Sequence, residues 1–191
     1  MNSLHGLLKD LTGGDESLAE DSVLALIQLG ADAIPALMDL SKSSDVDSRW
    51  WALRTLSQSP LLQTGWLIPF LDDPIPEVRQ CAALGLAGKP DEEAIQPLVR
   101  ALSDADAMTS NLAANALVKI GKPAVPSLIE VVSSQTQSTR ITALRALAEI
   151  RDHRAIPILM KVMEEDSAVL QHWAKEGLER LGLDMVYLKP V

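Results

Sequence analysis

The chain contains a single cysteine, Cys81, so it can form no internal disulfide and carries no Cys-x-x-Cys metal or redox motif. That usage suits a reducing compartment, and a cytoplasmic location is expected. Aromatic residues make up 3% of the 191 residues: four Trp, one Tyr and one Phe. A core must therefore be built from Leu, Ala, Ile and Val, the material of closely packed helices. Basic residues are outnumbered, 17 against 26 acidic ones, for a formal net charge of −9. Such a chain repels a phosphate backbone, so nucleic acid is not expected as a partner. No uncharged apolar run is long enough to span a bilayer, and the first residues lack a basic start followed by an apolar stretch. Neither a membrane partner nor a secretory leader is expected. A Gly-rich phosphate loop and a Gly-x-Ser-x-Gly elbow are both missing.

What the chain does contain is a period. Pro35, Pro69, Pro97, Pro126 and Pro157 recur inside one hydrophobic phrase, at intervals of 34, 28, 29 and 31 residues. A period near 30 means one helical unit stacked on copies of itself. Leu26 to Leu40 and Leu117 to Val131, 91 residues apart, repeat each other most clearly. Each period reads as two helices. The first carries Ile-Pro-x-Leu, as at Ile34 to Leu37 and Ile156 to Leu159. Acidic residues or a proline precede it, as in Asp91-Glu92-Glu93 and Lys122-Pro123, and suit a helix N-terminus. A phrase proline lying beyond the first turn would bend the helix. The second helix mixes small and apolar residues, as in Val78 to Leu86, Thr139 to Leu147 and Ser48 to Leu56. Its core-facing residues fall at offsets 0, 4, 8 and 11 of this pattern. Gly30, Gly121 and Gly182 then sit where a left-handed cap is wanted. The expected fold is an all-α superhelical solenoid of about six two-helix repeats. Helix pairs are predicted at 2–11 with 16–29, 32–42 with 46–58, 61–71 with 75–87, 91–102 with 107–119, 122–133 with 136–149, and 153–164 with 166–181. One solenoid domain is expected over 1–182, with 183–191 as a C-terminal tail that folds back or docks.

These phrases resemble HEAT repeats, and in particular the short prokaryotic variety of phycobilisome-lyase-like proteins. The family's Val-Arg-x-x-Ala-Ala-x-Ala-Leu-Gly and Ala-Ile-Pro-x-Leu are legible at Val78 to Gly85 and Ala155 to Leu159. Ser110 and Gln171 replace the repeated Arg, while Ser48, Thr109 and Thr139 replace the Val. The resemblance implies an extended surface lined by the second helices, on the concave side. Positions opposite the core stripe then give one row, Glu20, Trp50, Gln80, Asn111, Ile141 and His172. They give a second, Leu24, Arg54, Leu84, Asn115, Arg145 and Glu176. Trp50, Arg54, Gln80, Asn111, Asn115, Arg145 and His172 are the candidate partner-binding residues. Trp50 and Arg54 are the anchors, since i and i+4 share a face and can form one aromatic–guanidinium patch. One of Trp50 and Trp51 must instead point toward the core. Trp66 reads as core, and Trp173 with His172 either caps the stack or extends the patch.

The repeated Arg49, Arg79 and Arg140 look like a binding stripe, but the resemblance implies pairing with acids such as Asp73, Glu77 or Asp104 of a neighbouring repeat. The acidic pairs Asp45/Asp47, Asp72/Asp73, Asp104/Asp106 and the Glu164/Glu165/Asp166 cluster read as helix caps and dipole partners rather than metal ligands. His5, His153 and His172 are scattered and none precedes Glu, which removes the iron ligands of the HEAT-like deoxyhypusine hydroxylases. HEAT-like DNA glycosylases use a basic groove that this acidic chain does not advertise. No catalytic residue, metal or cofactor is expected, and Cys81 reads as a small buried residue. The expected function is therefore a non-catalytic scaffold holding a protein partner. The alternative is a phycobilin lyase subunit or chromophore-protein chaperone, with a second HEAT subunit or a bilin-bearing protein as partner and Arg residues meeting tetrapyrrole propionates. A solenoid serving only as a stable framework is the remaining possibility.

Overall fold

The computed structural model describes residues 3–134, 136–165 and 167–183, and among these residues every regular element is a helix. The expected C-terminal tail, apart from Leu183, lies outside them, as does Asp166. The chain forms two compact units, dividing between Lys89 and Pro90. The first holds α1 (Leu4–Leu11), α2 (Glu16–Leu29), α3 (Ile34–Leu40), α4 (Val46–Gln58), α5 (Thr64–Leu67) and α6 (Pro76–Gly88). The second holds α7 (Ile95–Ala101), α8 (Ala107–Ile120), α9 (Val125–Ser134), α10 (Gln137–Ile150), α11 (Ile156–Met163) and α12 (Ala168–Arg180). Odd and even helices pair as six hairpins, three to a unit, in the order the period predicts. Among the described residues no single helix is long and apolar enough to cross a membrane.

The first helix of most hairpins does not start directly. A 3-10 turn precedes it at Gly30–Asp32, Glu92–Ala94, Lys122–Ala124 and His153–Ala155. This turn shifts the α-helical start so that Pro35 and Pro157 fall at its first two positions. There a proline loses no hydrogen bond, so it opens the helix rather than bending it. In the third hairpin the order reverses, α5 running into a 3-10 turn at Ile68–Asp72 that holds Pro69. The alanine at the turn, Ala33, Ala94, Ala124 or Ala155, is fully buried, because only a methyl fits where the turn meets its partner helix.

The second helices carry the core. Ala52, Leu53 and Leu56 on α4, Ala82, Ala83 and Leu86 on α6, and Ala143, Leu144 and Leu147 on α10 are all buried. Ser48, Thr109 and Thr139, which depart from the Val of the pattern, are buried too. Two of these hydroxyls are satisfied within their own loops. Thr109 Oγ1 donates to Asp106 Oδ2 at 3.2 Å, and Thr139 Oγ1 lies 3.0 Å from Thr136 Oγ1. Gly30 and Gly121 close α2 and α8 with φ of 60° and 79°, but their ψ values of −126° and −135° lie in a region open only to glycine. Arg151 adds a left-handed cap after α10, and Gly182 after α12 holds a φ of 82° with the Leu183 amide donating to Leu178 O, as a glycine cap requires.

Candidate functional site

The repeated arginine is a structural tie. Arg49 forms a two-pronged pair with Asp73, Nε to Oδ2 at 2.9 Å and Nη2 to Oδ1 at 3.1 Å, and also donates to the carbonyls of Ser43 and Ser44. Arg79 donates to the carbonyls of Asp73 and Pro74. Arg140 donates to Val132 O at 2.7 Å and to Glu165 Oε1 at 2.5 Å. Where arginine is replaced the job persists. Ser110 Oγ donates to Leu102 O at 2.8 Å, and Gln171 donates to the carbonyls of Met163 and Glu165. From the second repeat to the sixth this position satisfies carbonyls that the preceding helix or loop leaves without intrahelical partners, while in the first it is the buried Ala19. Of the expected acids, Asp73 accepts the pair; Glu165, read as a cap, accepts another.

In the first unit Trp50 and Arg54 share a face, as their spacing predicts. The Arg54 guanidinium carbon lies 5.4 Å from the Trp50 ring centre and 5.7 Å from that of Trp51. The two indoles meet edge to face at 4.9 Å. Arg54 is not a free anchor: its Nη2 donates to Glu20 Oε1 at 2.6 Å, one repeat earlier. Its Nε is buried without a hydrogen-bond partner among the described residues. The two tryptophans are both half-buried, and Trp51 also packs on the core of the unit with Trp66. Trp51 is thus the core-facing indole of the expected pair, although both keep part of their surface exposed. Gln80 is half-buried on α6, while Leu24 and Leu84 stand exposed on either side of Arg54 in repeat order.

In the second unit Asn111, Asn115 and Arg145 line one small cavity of about 120 Å³ between α8 and α10, with Thr142 and Glu149. The Arg145 guanidinium lies 5.3 Å from the ring centre of Trp173 on α12, and His172 meets that ring edge to face at 5.2 Å. Among the described residues no carboxylate pairs with Arg145, which is exposed. The geometry thus offers a cation lying on an aromatic face beside two exposed amides, a set suited to a carboxylate on a flat apolar body. The Arg145–Trp173 contact joins residues 28 apart on different helices, and no local spacing rule reveals it.

The acids act largely as caps. Asp45 and Asp106 accept the Ser48 and Thr109 amides, each at 2.8 Å. The Ser48 hydroxyl and amide hold the Asp45 carboxyl below its ordinary range. The Arg154 side chain and amide beside Asp152 bring that carboxyl down to about 2. Among the described residues no cluster of His, Cys, Asp and Glu is arranged to hold a metal ion. Burial pushes the Cys81 thiol up to about 11, against the opposing pull of the Arg54 charge.

The family model for HEAT repeats matches residues 64–137 and 122–179. A bilin biosynthesis protein of Synechococcus, RpcF, is 33% identical over 92 residues, 48% of this chain and 44% of that one. The phycocyanobilin lyase subunit beta of Nostoc is 30% identical over 115 residues, 60% of this chain and 56% of that one. The chain spans about half the length of the first curated relatives it matches, 44% and 50%. Among solved structures, the complex of CpcE and CpcF of phycocyanin lyase from Nostoc aligns with a TM-score of 0.58 and 24% identity, covering 75% of this chain and 96% of that one. An archaeal HEAT-like repeats protein from Thermococcus onnurineus aligns with a TM-score of 0.61 and 16% identity, covering 95% and 81%. These likenesses place the fold among repeat solenoids. The names of the relatives overturn the expected non-catalytic protein scaffold: bilin biosynthesis, phycobilisome maturation and phycocyanobilin lyase recur among them. The expectation failed because a row of Trp, Arg and Asn suits a protein hot spot and a tetrapyrrole carboxylate equally well.

Proposed function

This chain belongs to the HEAT-repeat family, and from that premise we propose that it is one subunit of a phycobilin lyase, holding a linear tetrapyrrole for delivery to an acceptor protein. The observation that carries the reading is Arg145: an exposed guanidinium with no acid partner among the described residues, lying on Trp173 beside Asn111 and Asn115. A bilin presents two propionate carboxylates on a flat, conjugated, apolar body. Arg145 would take a propionate, the Trp173 indole would lie against the ring system, and the two amides would meet pyrrole N–H and lactam oxygen groups. Arg54 is a weaker choice, because Glu20 already neutralises it.

The relatives' names support the substrate class, and the lyase structure that pairs CpcE with CpcF supports a second HEAT-repeat subunit as partner. The lone cysteine supports a reducing, cytoplasmic setting. Burial pushes the Cys81 thiol up to about 11, which disfavours it as a nucleophile near neutral pH.

Mixing the purified protein with phycocyanobilin and recording the visible absorption tests this directly. A red-shifted, sharpened long-wavelength band is expected on binding, because fixing the bilin against Trp173 extends its conjugation. A spectrum unchanged both with and without phycocyanin apoprotein would overturn the reading.

A further inference from the structure

On the first unit, beside the Arg54–Glu20 pair, an open groove of about 470 Å³ is floored by Trp50, Trp51, Ala19 and Val46 and rimmed by Asp15, Glu16, Asp47 and Glu77. A second cavity of about 350 Å³ adjoins it, sharing Gly14, Asp47 and Trp51 and adding Asp45. No basic residue lines either one. Two of these acids are occupied: Asp15 caps α2 through Ser17 and Leu18, and Asp45 caps α4 through Ser48. Glu16, Asp47 and Glu77 are exposed and have no partner among the described residues. Neither cation on α4 compensates them: Arg49 is held by Asp73 and two loop carbonyls, and Arg54 by Glu20. Glu16, Asp47 and Glu77 stand 31 and 30 residues apart and place one acid in the first turn of each second helix of this unit, α2, α4 and α6.

We infer that this groove docks a partner-protein segment in which Arg or Lys alternates with apolar residues. Three observations converge on that occupant. Trp50, Trp51, Ala19 and Val46 give an apolar floor for the segment's apolar residues, Arg54 already lying on the two indoles. Unpaired carboxylates around the rim supply the complementary charge and reject an acidic segment. Two contiguous cavities give room for several residues in a row, where a single ion would fill one end. A bilin is a poor occupant here, since its propionates would face carboxylates with no cation between them. The groove therefore has a chemistry opposite to that of the Arg145 cavity, and its role does not depend on the lyase reading.

The test uses the intact protein and the acetylated, amidated pentapeptide Leu-Arg-Leu-Arg-Leu, with its Leu-Glu-Leu-Glu-Leu counterpart as control, followed by tryptophan fluorescence. The Arg peptide should shift or quench the emission saturably. The double variant Asp47→Asn/Glu77→Gln should bind it at least about tenfold more weakly with an unchanged melting temperature, and added salt should weaken the wild-type complex. Trp50→Phe should reduce the signal change, the rest being reported by Trp51, which separates the groove from Trp66 and Trp173. The inference is overturned by equal binding of the Glu peptide, by undiminished affinity in the double variant, or by no response up to about 1 mM peptide, the threshold of weak binding. It is also overturned if sedimentation shows that copies of the chain already fill the groove by self-association that the double variant abolishes.

Discussion

Asp73 shows how much one carboxylate does in this protein. It takes both prongs of Arg49 and also accepts the Ile75 amide, and the pair is largely shielded, with 11% and 7% of the two side chains exposed. Breaking a shielded pair from one side strands the other charge, so Asp73→Asn should cost about 3 kcal/mol in urea unfolding. Glu20→Gln, which breaks the more exposed pair with Arg54, should cost less than about 1 kcal/mol. Asp152 makes a pH prediction. Its carboxyl ordinarily titrates near 3.8 and is brought to about 2 by Arg154, so the folded state favours the charged form. The resulting stability is present above the ordinary value and lost as pH falls from about 4 toward 2. Between those pH values the melting temperature of Asp152→Asn should fall less steeply than that of the parent protein. Such roles were only half legible. The arginine ladder follows from the repeat, but the use of Ser110 and Gln171 for the same carbonyls does not, since neither resembles arginine except in being a donor.

At the scale of elements, the period located all six hairpins because stacked repeats must bury the same face each time. It missed the 3-10 turns, because the sequence pattern marks where a proline is tolerated without saying which kind of turn leads to it. The tight approach of neighbouring helices is likewise set by three-dimensional contacts. A methyl on Gly85 of α6 would lie 2.6 Å from Leu67 Cδ1 on α5 and closer still to Ser57 Oγ on α4. Gly85→Ala should therefore destabilise the first unit by about 1–3 kcal/mol despite favouring helix, seen as a lower melting temperature. At the end of α10 the opposite applies. Arg151 holds φ of 54° without being glycine, so Arg151→Gly should be neutral or stabilising by up to about 1 kcal/mol in the same assay.

At the scale of the whole molecule, charge and composition spoke against nucleic acid and disulfides, and the repeat spoke for a solenoid; none of these names a ligand. The candidate row was legible as positions, because helical geometry dictates which residues leave the core. What the positions do was not. Arg54 turned out to be neutralised by Glu20, whereas Arg145 stacks on Trp173 from a different hairpin, a difference settled by side-chain neighbours that sequence spacing does not encode. Asp45 and Asp47 were read as caps and Glu77 as a partner of the repeated arginine; Asp45 is a cap, but Asp47 and Glu77 with Glu16 form a rim that the reading overlooked. The account as a whole turns on bilin recognition by Arg145. Its most direct test is an absorption titration of phycocyanobilin against the parent protein and Arg145→Ala, with melting temperatures measured alongside. A saturable spectral change in the parent protein, weakened about tenfold or more in the variant at equal thermal stability, is the predicted result, as expected for losing one charge-assisted hydrogen bond. Equal affinity in the two proteins, or no spectral change in either, would contradict it.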